Sequence, residues 1–234
     1  MRTAAVLPVK RFARAKQRLG ASVADPLRLA LARAMVDDVL LALAQTAAIE
    51  LTIVVTREPL AAAAASGQGA AVIEDEAESG QSAAVTLGVR RALAEGFERV
   101  LCVPGDCPAL DPAELEGLLS APASPGGVTG AEPSVVVLPD RHGSGTNGLL
   151  LSPPDAILPA FGPGSCERHR QLALAAGIAC RVEPLPSLLL DVDTGADLAA
   201  LRERLAGRGE RATRTRAVLG RSAGADIVSI STPA

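Results

Sequence analysis

Five side chains stand out for the chemistry they could do together. Asp106 follows the apolar run Arg99–Val103 through Pro104-Gly105. Asp191 and Asp193 sit two residues apart in Leu190-Asp191-Val192-Asp193-Thr194-Gly195. Lys10 and Lys16 fall in one short segment after the first apolar run. Carboxylates are hard oxygen ligands, and one or two of them with phosphate oxygens are the usual setting for Mg²⁺. Two Asp at i and i+2 face the same side where the backbone is extended, and beside Asp106 they would complete a magnesium site. Asp193 or Thr194 could instead cap the helix that follows, and Asp197 reads as helix surface or a structural cap. Lys10 and Lys16 are the only lysines in a chain that uses Arg at every other basic position. A compact ammonium at both places suits phosphate binding.

Two glycine-rich stretches come next. Gly143-Ser144-Gly145-Thr146-Asn147-Gly148 has the letters of a dinucleotide fingerprint. It runs into Leu149-Leu150-Leu151-Ser152-Pro153, not into a helix, so that reading fails on context. Its small residues still admit close approach of backbone N–H groups to an anion. Phe161-Gly162-Pro163-Gly164-Ser165 precedes a helical pattern whose first N–H groups could bind a carboxylate or phosphate. Tight turns are the alternative for both stretches. Cys166-x-x-His169 has a metal-like spacing, but a zinc site would need more ligands of this type than that pair.

These groups must be positioned by the elements around them. Strands are expected at Thr3–Pro8, Leu51–Thr56, Ala70–Ile73, Arg99–Val103, Ser134–Leu138, Asn147–Leu151 and Ile178–Val182. Helices are expected at Pro26–Ala48 (with Asp25 as N-cap and Pro26 at its first position), Gly80–Glu95, Pro112–Leu119 under Asp111, Glu167–Ala176 and Gly195–Leu205. Strands alternating with helices predict βαβ units and a mostly parallel sheet covered on both faces. In such sheets the ligand site lies at the carboxyl ends of the strands. The loop after Pro8, the loop at Asp106 and the segment at Asp191 all converge there. Residues 121–130 read as a lid or a surface connection. The stretch from 207 to 234 reads as a frayed Arg/Gly/Ser-rich tail after one domain at 1–206, with a short docking strand at Ile227–Ile230 as the alternative.

Composition narrows the function classes. With 234 residues, 48% hydrophobic and 21% charged, the chain can bury a core. Aromatic residues make up only 1%, with neither Trp nor Tyr, which argues against a stacking platform for single-stranded nucleic acid. Residues 1–18 carry six bases and no acid, whereas 19–200 hold 10 bases against 23 acids, a net of −13. A basic segment facing an acidic body suggests anion handling beside metal-binding carboxylates. The apolar stretch 29–49 is broken by Arg33, Asp37 and Asp38, so no membrane span is expected. Four cysteines without a CxxC pair or an export signal point to reduced thiols in the cytoplasm.

Together VLPVKRFARAKQRL, SGQSAAVTLG, VPGDCPAL, GSGTNGLLL, FGPGS and LDVDTGADL, in this order from about residue 3 to 205, resemble the 2-phospholactate/phosphoenolpyruvate guanylyltransferases of coenzyme F-420 biosynthesis. The resemblance implies a Rossmann-like, three-layer α/β/α nucleotidyltransferase fold of glycosyltransferase-A type with a mixed, mostly parallel sheet. It implies GTP and a phosphorylated three-carbon acid as substrates, with Mg²⁺ as cofactor and pyrophosphate as leaving group. Lys10 would contact the acid or the phosphates, and Lys16 and Arg18 would join it in neutralising charge. Asp106, Asp191 and Asp193 would hold magnesium. Thr146, Asn147, Gly162 and Ser165 would face the acid. Pro8, Val9, Gly80, Gln81, Ser82, Pro104 and Gly105 would border the nucleotide. The chain departs from the family at Gly80-Gln81-Ser82, where a Gly-Leu-Asn type segment is usual. Phosphoenolpyruvate is the first expectation for the acid, then 2-phospho-L-lactate or 3-phospho-D-glycerate. Nucleic acid and membrane partners are not expected, and a homodimer is an open possibility. The rival readings are a molybdopterin cytidylyltransferase or sugar-phosphate nucleotidylyltransferase of the same fold, and a non-catalytic nucleotide-binding protein.

Overall fold

The computed structural model describes residues 1–121, 132–207, 209 and 211–228. The strands are β1 (Thr3–Val9), β2 (Leu51–Thr56), β3 (Ala71–Ile73), β4 (Arg99–Cys102), β5 (Ser134–Pro139), β6 (Thr146–Ser152) and β7 (Ala179–Val182). The helices are α1 (Asp25–Ala44), α2 (Pro59–Gly67), α3 (Gln81–Ala94), α4 (Pro112–Ser120), α5 (Ser165–Ala175), α6 (Gly195–Leu205) and α7 (Thr213–Val228). The sheet order is β3-β2-β1-β4-β6-β5-β7. β1 to β4 pair in parallel, and β6 is antiparallel to both β4 and β5.

The strand sequences explain why the sheet is buried on both faces. Strands such as LTIVVT and SVVVL are near-continuous apolar runs rather than alternations, as expected where helices cover both sides. Successive residues of β1 enter opposite cores: Ala5, Leu7 and Val9 pack with α1 and α4, while Ala4 and Val6 pack with α3. Gly88 is what lets α3 lie so close to β1, because a Cβ there would run into Val6. α1 is buried on two faces. Val36, Val39 and Leu43 meet the sheet, and Leu31, Ala34 and Met35 meet a third core built with α6 and α7.

The antiparallel β6 has a consequence for function. Its first residues, Thr146 and Asn147, lie at the edge where β1 and β4 end, because Cys102 at the end of β4 pairs with Leu149. The fold therefore gathers both glycine-rich stretches and the loops after the parallel strands along one edge of the sheet.

Several expectations need correction. α1 begins one residue earlier than predicted, with Ala24 rather than Asp25 at the N-cap, and it ends at Ala44. Asp25 instead accepts a hydrogen bond from Arg28 Nε at 3.1 Å. α2 is an element the strand-and-helix reading left out. Its Ala61–Ala65 run has the highest helix propensity available, and Glu58 accepts from Leu60 N at its start. The tail is not frayed through residues 213–228, which form α7, and its Val218 and Leu219 are buried in the third core. The packed unit therefore runs past residue 206. Residues 227–228 belong to α7, so the alternative docking strand is not formed there, and 229–230 lie outside the described residues. The 121–130 segment, beyond Ala121, also lies outside them.

Candidate active site

A cavity of about 490 Å³ opens at the carboxyl ends of β1 and β4. Its wall includes Pro8 and Val9 at the end of β1, Lys10 and Lys16 from the segment after it, and Gly80 and Gln81 at the start of α3. Pro104, Gly105, Asp106 and Asp193 line it as well. Gly105 fits because a Cβ there would meet Val36 Cγ2 at 2.8 Å. Gly80 holds a φ of 106°, a conformation open to glycine, and any Cβ there would stand in empty space. With Gly80 as N-cap, α3 starts at the cavity wall, and a helix N-terminus favours an anion.

The carboxylates converge as their spacing predicts. Oxygen atoms of Asp106, Asp191 and Asp193 lie within 4.8 Å of one another. The two segments are tied by a hydrogen bond from Val192 N to Asp106 O at 3.1 Å. Asp106 Oδ1 is buried and has no hydrogen-bond partner, which is costly for a carboxylate unless a cation completes it. Asp191 is pushed above the ordinary carboxyl range, first by burial and then by the Asp106 charge, while a hydrogen bond from Asn147 opposes the rise. Three oxygen ligands, one of them orphaned, fit a hard divalent cation.

Lys16 bridges two of these acids. Its Nζ contacts Asp106 Oδ2 and lies 2.6 Å from Asp193 Oδ1, and its side chain is only 9% exposed. Burial alone would lower the ammonium's pKa, but the two carboxylates override that and raise it. Lys16 is thus a fixed positive charge. Its backbone has a φ of 57°, unusual for a residue with a Cβ. Lys10 lines the same cavity and is exposed.

Other predicted residues stand elsewhere. Arg18 is exposed and off the cavity wall. Ser82 is also off the wall, and its Oγ accepts from Phe161 N at 2.9 Å. Asn147 is buried beneath Asp191, donating through Nδ2 to Asp191 Oδ1 at 3.1 Å and to Leu188 O at 2.7 Å. It positions a carboxylate rather than facing the cavity. Thr146, its neighbour in β6, is buried, and Thr146, Gly162 and Ser165 all lie outside the cavity wall. Gly162 has a φ of 116°, and its carbonyl accepts from Ser165 N at 3.0 Å. The Gly143–Gly145 stretch is a hairpin turn whose His142 and Ser144 N–H groups are spent on Asp140 Oδ1. The turn reading, not the anion cradle, describes it.

Sequence reasoning missed part of the wall. Arg11, Arg14 and Glu78 line the cavity, with Arg11 Nε 3.3 Å and Arg14 Nη1 3.4 Å from Glu78. Asp75 joins them and accepts from Glu78 N at 3.1 Å. The signal was the acidic run just after β3, at the same sheet edge. Asp197, by contrast, closes a capping box with Thr194 at the start of α6, as the cap reading expects. His169 has no zinc-like surroundings. Its Nδ1 is 3.1 Å from Thr146 Oγ1, and its Nε2 accepts from Ala160 N at 2.9 Å.

Known proteins place this chain in a family. Residues 3–220 match the family described as guanylyl transferase, CofC like. A phosphoenolpyruvate guanylyltransferase of Conexibacter woesei is 49% identical over 94% of this chain and 96% of its own. Another of that name, from Rubrobacter xylanophilus, is 41% identical over 84% of this chain and 92% of its own. A solved nucleotidyl transferase from Methanothermobacter thermautotroptrophicus superposes with a TM-score of 0.61 at 20% identity, covering 87% of this chain and 97% of its own. That likeness supports the nucleotidyltransferase fold alone. With the acidic cluster, the basic strand-end segment and relatives that span nearly its whole length, the chain belongs to the CofC-like guanylyl transferase family.

Proposed function

We propose that the chain transfers GMP from GTP to the phosphate of phosphoenolpyruvate and releases pyrophosphate, a reaction that serves coenzyme F-420 biosynthesis in the cytoplasm. The observation that carries the reading is the cluster of Asp106, Asp191 and Asp193 beside a cavity walled by Lys10 and Lys16. The names of the curated relatives support phosphoenolpyruvate as the acid. The three carboxylates would hold Mg²⁺, which supplies charge neutralisation at the phosphates when bound.

The acceptor phosphate is already ionised near neutral pH, so no general base is required. An acceptor phosphate oxygen forms a bond to the α-phosphorus of GTP, and the bond to the β-phosphate oxygen breaks. Pyrophosphate carries the electron pair away. The protein's work is positioning and charge stabilisation. Lys10, Arg11 and Arg14 line the cavity, where they would stabilise the charge of the leaving pyrophosphate. Lys16 screens the repulsion between Asp106 and Asp193 and ties the two together. The N–H groups at the start of α3 face the nucleotide phosphates. Pro8, Val9 and Gln81 would border the nucleoside, and the resemblance to the family assigns Thr146, Gly162 and Ser165, outside that wall, to the acid.

Pyrophosphate release from purified protein and Mg²⁺ tests this, with GTP, CTP, ATP or UTP against each of three acids. Release with GTP and phosphoenolpyruvate is expected. Release only with 2-phospho-L-lactate or 3-phospho-D-glycerate would replace the acid, and release with CTP would favour a cytidylyltransferase.

A further inference from the structure

His169 is fully buried at the junction of three segments, with 0% of its surface exposed. Its ring meets Phe161 edge-on, with centroids 5.2 Å apart. Its two nitrogens have different neighbours, and that difference fixes a proton. Ala160 N is a backbone donor 2.9 Å from Nε2. Nε2 must therefore present a lone pair, so the neutral ring carries its hydrogen on Nδ1. Nδ1–H faces Thr146 Oγ1 at 3.1 Å, and the hydroxyl must accept it. Once it accepts there, the hydroxyl has its own hydrogen left to donate elsewhere. A donor in that place suits a carboxylate or phosphate oxygen, which can only accept. Burial and the neighbouring Arg168 hold the imidazole neutral, lowering its pKa to about 4.

The same ring fixes the loop beyond it. Ala160 is held by His169, and Phe161 N by Ser82 Oγ at 2.9 Å. The loop that carries Gly162 to Ser165 is thus anchored to α5 on one side and to α3 on the other.

We propose that His169 is a positioning residue for the acceptor acid: it locks the Thr146 hydroxyl as a hydrogen-bond donor toward an anionic oxygen of that acid and holds the loop that presents Gly162 beside it. The part concerning the acid rests on the proposed function, while the tautomer does not.

The tautomer is read without any substrate. The chain has only two histidines, so ¹⁵N-resolved imidazole spectra can separate His169 from the exposed His142. A neutral ring protonated on Nδ1 is expected at neutral pH. A ring protonated on Nε2, or charged, would overturn the proposal. Kinetics then test the acid. His169→Phe keeps the ring's packing and loses both hydrogen bonds. It should raise the KM for phosphoenolpyruvate by about tenfold or more and leave the KM for GTP within about twofold, the scale of one lost hydrogen bond to a charged group. His169→Asn, which can still donate to Thr146, should recover most of that loss. Thr146→Val should resemble His169→Phe, and the double variant should be little worse than Thr146→Val alone. A purely packing role would rank Phe above Asn, shift both KM values together and multiply in the double variant. Should the wild-type protein guanylylate none of the acids, the proposed function fails while the imidazole spectra still decide the tautomer.

Discussion

Asp106 is the residue on which the chemistry turns. It stands in the loop after β4, one of its oxygens is buried without a partner, and the other contacts Lys16. Asp106→Asn keeps the shape and removes the charge. It should leave the melting temperature nearly unchanged and reduce turnover by about 100-fold or more, the scale of losing one preorganised electrostatic element. Pyrophosphate release on a variant shown to be folded checks this, and near-normal turnover would remove Asp106 from the metal role. Asn147 acts one layer out. Asn147→Ala frees Asp191 from its one side-chain donor among the described residues, and should weaken Mn²⁺ binding about 10- to 100-fold, as other ligand-supporting contacts do. A titration followed by the paramagnetic signal of free Mn²⁺ reads this directly, and unchanged affinity would sink the supporting role. At this scale much was legible. Aspartates at strand ends and two residues apart announce their geometry, and two isolated lysines announce theirs. Ser82 and Asn147 were not legible as structural ties, because a polar residue looks alike in sequence whether it meets a ligand or a neighbouring loop.

Elements explain why those residues meet. Strands of five or six apolar residues and helices flanked by Pro, Asp or Thr are local signals, so their existence could be read directly, within a few residues at each end. α7 was hidden because what holds it is distant in sequence. Its first N–H groups, at Arg214 and Thr215, are accepted by Asp38 of α1 at 3.1 Å and 2.8 Å. A carboxylate at a helix N-terminus satisfies orphan donors and the dipole together. Asp38 is 4% exposed, so its charge is stabilised chiefly by this cap. Asp38→Ala should lower stability by about 2 kcal/mol, between a single cap and a pair of charged hydrogen bonds. Urea denaturation would show it as a lower midpoint with an unchanged slope. An unchanged midpoint would mean that α7 is not held there. The same reasoning explains α1, whose lack of one apolar stripe follows from cores on two of its faces.

At the scale of the whole molecule, one mixed sheet serves as the frame. Its parallel half ends in the loops that wall the cavity, and the antiparallel β6 returns Thr146 and Asn147 to the same edge. No pattern in the sequence sets that reversal, because antiparallel pairing depends on which strand neighbours β4, and the order β4-β6-β5 skips a strand. Among the described residues, no helix is long and apolar enough to cross a membrane. Stability should depend on pH through His169. Its ordinary value of 6.5 falls to about 4 in the fold, so the unfolded chain takes up the proton first. The contribution is complete above pH 6.5 and is lost as pH falls toward 4. Unfolding free energies measured across that window should fall more steeply for the wild type than for His169→Asn, and equal slopes would contradict a neutral buried ring. The central claim is the bond that forms. Mass spectrometry of the products from GTP carrying an α-phosphate label, with Mg²⁺ and phosphoenolpyruvate, tests it most directly. The account predicts one adduct in which labelled GMP is joined to the acid's phosphate, with an equal amount of unlabelled pyrophosphate. Labelled free GMP, or GDP with phosphate, and no adduct would contradict it.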